Sequence, residues 1–203
     1  MAPMHCPACK SPSFETDTEC NSCGLSLERT DELFGTPPAI PPTVADLAAV
    51  LSNLGRNSVQ AAARDLHASF PQVRFTLLTA ALAPDISLPV YTFWIFNRGG
   101  ICREIERGAS NHDILLVIDP GNSRSNLIIG YGLEPFISTG HLTAALDAAA
   151  PAFSKKKFAA GTRSVIDSLA ATLAAVSSEI PAAYGLNPNE IQPATYSSAA
   201  AEF

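Results

Sequence analysis

The chain has 203 residues, 47% of them apolar, a mean hydropathy of +0.16 and a formal net charge of −6 with a pI near 5.1. That length holds one mid-sized domain with an appendage, and the apolar share is enough to bury a core. The acidic balance argues against a broad nucleic-acid-binding face, and no stretch reaches the roughly 20 apolar residues of a membrane span.

The first element is chemical. Cys6-Pro7-Ala8-Cys9 and Cys20-Asn21-Ser22-Cys23 are two tight turns, each presenting a pair of thiols. Together Cys6, Cys9, Cys20 and Cys23 have the spacing of a structural zinc ribbon closing on Zn²⁺. A disulfide pair or two unrelated turns are the competing readings. A thioredoxin-like redox motif is excluded because no strand–helix pattern surrounds either pair. His5 reads as a bystander, and Cys102 has no motif around it. Residues 1–30 hold few apolar side chains and need a staple of this kind. The segment is acidic (Glu15, Asp17, Glu19 and Glu28 against Lys10 and Arg29), which disfavours a phosphate-gripping ribbon and predicts another protein as partner. Met1–Cys9 has neither the basic start nor the apolar run of a secretory leader. With four of the five thiols at metal spacing, a reducing, cytoplasmic setting is expected.

Residues 31–43 carry Pro37, Pro38, Pro41 and Pro42 and read as a stiff, extended linker. From Val44 an apolar stripe of Val44, Leu47, Leu51 and Leu54 predicts a helix, and Val59, Ala62, Leu66 and Phe70 continue the pattern to Pro71. Val73–Leu78 is a predicted strand. Leu88–Phe96 fits a strand or a buried helix on pattern alone. Asp113–Ile118 is a near-continuous apolar run, expected of a strand covered on both faces. Asp119-Pro120-Gly121-Asn122 supplies turn chemistry, and Asn126–Ile129 returns as the second arm of a hairpin. Two further helical stripes follow, Leu142–Ala149, cut by Pro151, and Val165–Val176. Helices flanking strands make residues 44–178 an α/β layered domain, and residues 179–203 read as a flexible tail.

Part of this domain resembles the TPM family, the thylakoid-phosphatase-like domain. The residues that carry the resemblance are Ile114–Ile118, Leu127–Ile129, then Gly130, Tyr131, Gly132, Leu133 and Glu134, then Pro151, Phe153, Phe158 and Gly161. The resemblance implies a central sheet sandwiched between helices, and it favours helix for Leu88–Phe96. It also implies a shallow site where strand ends meet loops, with calcium associated with that site in some members. Phosphatase activity is attributed to plant members, whereas others look like assembly or repair factors. Several family acids have no counterpart in this chain. Ser138, Thr139 and Gly140 stand where an acid usually begins the helix after Leu-Glu. Asn111-His112-Asp113 replaces Asp-Asn-Gly, and Asp46 is the nearest match to the early loop acid. Lost carboxylates weaken a hard-cation site, because Ca²⁺ takes several charged oxygens.

The candidate cation or ligand site is therefore Asn111, Asp113, Gly130, Gly132 and Glu134, with Asp113 and Glu134 as the catalytic candidates. Asp119 is accounted for by its turn. Gly130-Tyr131-Gly132 lacks the third glycine and lysine of a nucleotide cradle and reads as a tight strand exit, with Tyr131 packed as a wedge. His112-Asp113 does not make a helical-bundle phosphohydrolase, since His67 and His141 do not fit one. Lys155-Lys156-Lys157 is expected to be a solvated loop. The expectation is a zinc-ribbon and TPM-like protein acting in binding or assembly. The alternative is a Ca²⁺- or Mg²⁺-dependent phosphatase, with Asp113 and Glu134 on the ion and Ser123 or Arg124 on the phosphate.

Overall fold

Four strands form the central sheet of the computed structural model, which describes residues 4–13, 17–101 and 111–183. A two-stranded ribbon precedes the sheet, β1 (Met4–His5) pairing antiparallel with β2 (Pro12–Ser13). Helix α1 (Leu27–Phe34) follows the second Cys pair, and the Ser26 side chain caps it by accepting from Arg29 N–H at 3.2 Å.

The body then runs β3 (Val44–Asp46), α2 (Asn53–Ser69), β4 (Arg74–Thr79), α3 (Leu88–Arg98), β5 (Asp113–Asp119), β6 (Arg124–Ile129), α4 (Thr139–Phe153) and α5 (Phe158–Ala183). The sheet order is β3-β4-β5-β6; the first three strands are parallel and β6 turns back antiparallel on β5. Alternating side chains feed two cores. Phe75, Leu77, Ile114, Leu116, Leu127 and Ile129 pack toward α2, α4 and α5. Leu78, Leu115 and Val117 pack toward α3. All of β5 is buried, which explains its lack of alternation.

The helix expected from Val44 is corrected at its start. Val44–Asp46 is strand β3, and the helix begins at Asn53 behind a Ser52 cap. The cause is Asp46, whose carboxylate accepts the backbone N–H groups of Val50 at 3.1 Å and Leu51 at 3.0 Å and holds the intervening residues in a loop. Leu47 and Leu54, which seemed to continue a stripe, are 54% and 82% exposed. Pro151 lies inside α4 rather than ending it, in the last turn before Phe153. Helix α5 likewise runs on through Pro181 to Ala183, and residues 184–203 lie outside the described residues.

Leu88–Phe96 is helical, and nearly all of it is buried: Leu88, Val90, Tyr91, Thr92, Trp94, Ile95 and Phe96. It shows no polar face because the sheet covers one side and α1 the other. Phe34 of α1 meets Tyr91 edge-to-face and Trp94 at a tilt, with ring centroids 5.5 and 5.0 Å apart. The proline-rich segment keeps to the body as well: Ile40 is buried in the α3-side core, and its N–H points to Gly99 O at 3.4 Å.

Gly161 sits where α5 crosses α4, and a Cβ there would collide with the Phe153 ring. Phe153 in turn packs 6.5 Å from Phe158. The Pro-x-Phe…Gly pattern is thus a helix–helix contact. Gly161→Ala is expected to destabilise the fold by about 1–3 kcal/mol through overpacking. A companion Phe153→Leu change should recover part of that loss in denaturant titration, because the smaller side chain makes room for the methyl.

Candidate functional site

The N-terminal thiols come together through two equivalent turns. In the first, Cys6 N–H donates to Ser11 O at 2.9 Å and Lys10 N–H donates to Cys6 O at 2.9 Å. In the second, Cys20 N–H donates to Leu25 O at 2.8 Å and Gly24 N–H donates to Cys20 O at 2.8 Å. The residue after each pair, Lys10 or Gly24, takes a positive φ of 63° or 68°, which reverses the chain over the sulfurs. The equivalence of the two turns places all four Sγ atoms within 4.8 Å of one another. Cys6 and Cys20 are buried, and Cys9 and Cys23 are exposed.

The sulfur spacing tests what the cluster fits. Cys6–Cys23 is 3.7 Å and Cys9–Cys20 is 3.6 Å. A tetrahedron with metal–sulfur bonds of about 2.3 Å has edges of about 3.8 Å. These two edges match those of a tetrahedron around a metal ion, and the remaining sulfur pairs all lie within 4.8 Å. The thiols also influence one another. The Ser11 hydroxyl and then its backbone N–H hold Cys9 down at about 6. At Cys23 a backbone hydrogen bond from Leu25 draws the value down. Desolvation and the neighbouring sulfurs of Cys9, Cys6 and Cys20 override it and push the thiol up to about 12. The two thiols shift in opposite directions because each feels the neighbouring sulfurs, and a cation held among them would supply compensating positive charge. His5 is exposed on β1, and Cys102 lies outside the described residues.

The strand-end candidates gather where β5 begins and β6 ends. Asn111 stands directly against Gly130, leaving no space for a Cβ there. Gly132 N–H donates to Asn111 O at 2.8 Å, Gly130 N–H to Asp113 O at 2.9 Å, and Asp113 N–H to Asn111 Oδ1 at 3.0 Å. Gly130 is thus required for a close backbone approach. Tyr131, expected as a packed wedge, is 51% exposed. Glu134 lies exposed in the same turn, with its N–H on Tyr131 O at 3.3 Å. Asp113 is buried, and Arg74 Nε donates to its Oδ1 at 3.1 Å. Arg74 was not singled out from the sequence. Its partner is 39 positions away, and only the parallel register of β4 on β5 brings the two opposite each other. Beside them a cleft of about 280 Å³ opens between α2 and the entry to β3, with Arg64, His67, Arg74 and Asp113 on its walls.

The opposite end of the sheet carries a second set of acids. Asp46 accepts from Thr79 Oγ1 as well as from Val50, Leu51 and Arg56 Nη2. Asp119 accepts from Arg124 Nη2 at 2.6 Å, Arg124 Nε at 3.2 Å and Asn122 Nδ2 at 2.8 Å. Ser123 and Arg124, offered as phosphate contacts, belong to this end. Asp113 and Glu134 belong to the other, a strand length of about 20 Å away. Two of the histidines are structural. His67 Nδ1–H donates to Val73 O at 3.1 Å, and His141 closes a capping box with Ser138 at the start of α4. Lys155, Lys156 and Lys157 are exposed between α4 and α5. Among the described residues, Cys6, Cys9, Cys20 and Cys23 are the one group of three or more His, Cys, Asp or Glu side chains gathered closely enough to share an ion. No described helix is long and apolar enough to cross a membrane.

Comparison with known proteins agrees with the mixed sheet between helices. A family model described as the TPM domain matches residues 44–172. The N-terminal domain of a protein from P. gingivalis, solved by NMR, is 25% identical with a TM-score of 0.55, over 64% of this chain and 80% of that one. The N-terminal domain of a Corynebacterium glutamicum protein is 17% identical with a TM-score of 0.52, over 68% of this chain and 84% of that one. A protein from the psychrophilic bacterium Bizionia argentinensis is 13% identical with a TM-score of 0.55, over 64% and 86%. The last two share the fold. No curated protein sequence matches the chain. Since the TPM match runs from the first strand of the sheet well into the last helix, the chain belongs to the TPM domain family, and a four-cysteine cluster precedes that domain.

Proposed function

We propose that this protein works by binding or assembly, with a structural zinc held by Cys6, Cys9, Cys20 and Cys23 and a TPM domain without strong catalysis. Four sulfurs gathered within 4.8 Å of one another favour a soft ion and suit neither Ca²⁺ nor Mg²⁺, which take oxygen ligands. Bound there, zinc would cross-link two turns that have almost no core of their own.

One observation carries the non-catalytic reading: the buried strand-end acids Asp113 and Asp119, with Asp46, serve internal bonds. Asp113 holds Arg74, while Asp46 and Asp119 organise the loops that follow their strands. Acids engaged in this way are drawn toward internal partners and away from the several charged oxygens a hard-cation site needs. The metal-dependent phosphatase reading needs Asp113 and Glu134 on an ion and Ser123 or Arg124 on a phosphate, and these groups lie at opposite ends of β5. The net charge of −6 favours another protein over nucleic acid as partner. Four reduced thiols at metal spacing fit a cytoplasmic setting.

Titrating Ca²⁺ or Mg²⁺ against thermal stability tests the reading. A site loaded a hundredfold above its Kd adds about 2.7 kcal/mol, an upward shift that is easily seen. No shift is expected through the millimolar range. Turnover of a phosphomonoester that disappears in Glu134→Gln would overturn the reading in favour of the hydrolase.

A further inference from the structure

We propose that metal binding at the four cysteines controls the docking of α1 on α3, so that the aromatic face around Trp94 is covered in the loaded protein and uncovered in the stripped one. The inference rests on the metal reading above and extends it to the body of the protein.

The connection is short and is made at both ends of α1. Between the last thiol, Cys23, and the first helical residue, Leu27, lie only Gly24, Leu25 and Ser26. Leu25 O receives the Cys20 N–H, Ser26 bridges to Glu19, and Arg29 Nη1 donates back to Cys23 O at 3.3 Å. The start of α1 is therefore built from the second cysteine turn. Its other end is held by the body. Asp31 Oδ1 accepts the Trp94 indole N–H at 2.9 Å, Asp31 Oδ2 pairs with Arg98 at 2.9 Å, and Phe34 covers Tyr91 and Trp94.

An eight-residue helix is too short to persist alone in water. It survives by being clamped at both ends, and the N-terminal clamp exists only while the cysteine turns are closed. Opening them releases the cap and the Arg29 contact together, which returns α1 to its unfavourable isolated state. The linkage is reciprocal: if metal strengthens docking, docking must strengthen metal binding by the same factor.

Trp94 is the single tryptophan of the chain and is 2% exposed under α1, so its emission reports docking directly. The experiment uses the full-length protein loaded with Co²⁺ or Zn²⁺, then stripped by a chelator, with Co²⁺–thiolate absorption reporting occupancy. Removal of the ion is expected to red-shift Trp94 emission, and re-addition to restore it. Phe34→Ala, which leaves every thiol in place, should weaken metal binding by roughly 5–150-fold. Asp31→Ala, which removes only the polar ties, should move affinity in the same direction. If cobalt binds with a tetrathiolate spectrum while Trp94 emission ignores its removal, the coupling is wrong and the metal reading stands. Unchanged metal affinity in both variants would overturn the coupling in the same way. If no ion binds at all, both fall.

Discussion

Serine at Cys20 is expected to leave the purified protein without stoichiometric zinc and to unfold the N-terminal segment while the body stays folded. Cys20 is buried at the centre of its turn, where its N–H and C=O also hold the backbone reversal. Serine keeps those backbone bonds and removes only the soft ligand, so the change isolates the contribution of the metal. Structural zinc sites of this kind contribute roughly 10–16 kcal/mol of apparent binding energy near neutral pH, and a segment with two dipeptide strands and no sizeable core has nothing of that size in reserve. Metal analysis of the purified variant should give well under one zinc per chain. Far-UV signal from the sheet and the long helices should persist, since the residues of the two cores lie almost entirely after residue 39. A variant that kept a full equivalent of zinc at unchanged affinity would show that Cys20 is not a ligand.

Asp119→Ala is expected to cost about 3–5 kcal/mol, the penalty for breaking a buried ion pair, out of the 5–15 kcal/mol that holds a typical domain. Asp119 is fully buried, and its carboxylate joins the β5–β6 turn to the loop after β4 by accepting from Arg124, Asn122 and Leu82 N–H. Arg124 and Asn122 also donate to Ile86 O at 3.0 Å and Leu82 O at 2.8 Å. Without the acid, a half-buried guanidinium loses its counter-charge and two loops lose their common anchor. The same group predicts a pH dependence. Desolvation opposes ionisation of Asp119, but the bonds from Arg124 and Asn122 outweigh it and hold the carboxyl below its usual value of 3.8. A folded-state value below the unfolded one means the contribution is fully present above the usual aspartate range. It is lost as pH falls through the lower folded value. Denaturant titrations from neutral pH downward should show that acid-side loss in the native protein and a smaller one in Asp119→Asn. Equal acid limbs in the two would assign the loss to other groups.

Much of this architecture was legible in the residues. The apolar run of β5 declared a strand buried on both faces, and the Asp119–Asn122 turn declared a hairpin. The paired Cys-x-x-Cys spacing singled out the cluster because a metal turn is local chemistry, complete within a few residues. Leu88–Phe96 was ambiguous for a physical reason. Periodicity reports the boundary between core and solvent, and α3 has almost none, being covered by the sheet and by α1. The spurious stripe at Val44–Leu54 arose because Leu47 and Leu54 fell at helical spacing by coincidence, in a stretch that Asp46 bends into a loop.

The sequence by itself determined the three strands β4, β5 and β6, most of the helices of the body, the thiol cluster and the family, since these depend on side-chain order within short windows. Tertiary structure alone decided that Arg74 neutralises Asp113, that Asp113 and Arg124 stand at opposite ends of the sheet, and that α1 lies on Trp94. Each of these depends on strand register or on helix docking between residues dozens of positions apart. No local pattern encodes such distances, because they are set by which surfaces remain to be buried once the elements have formed.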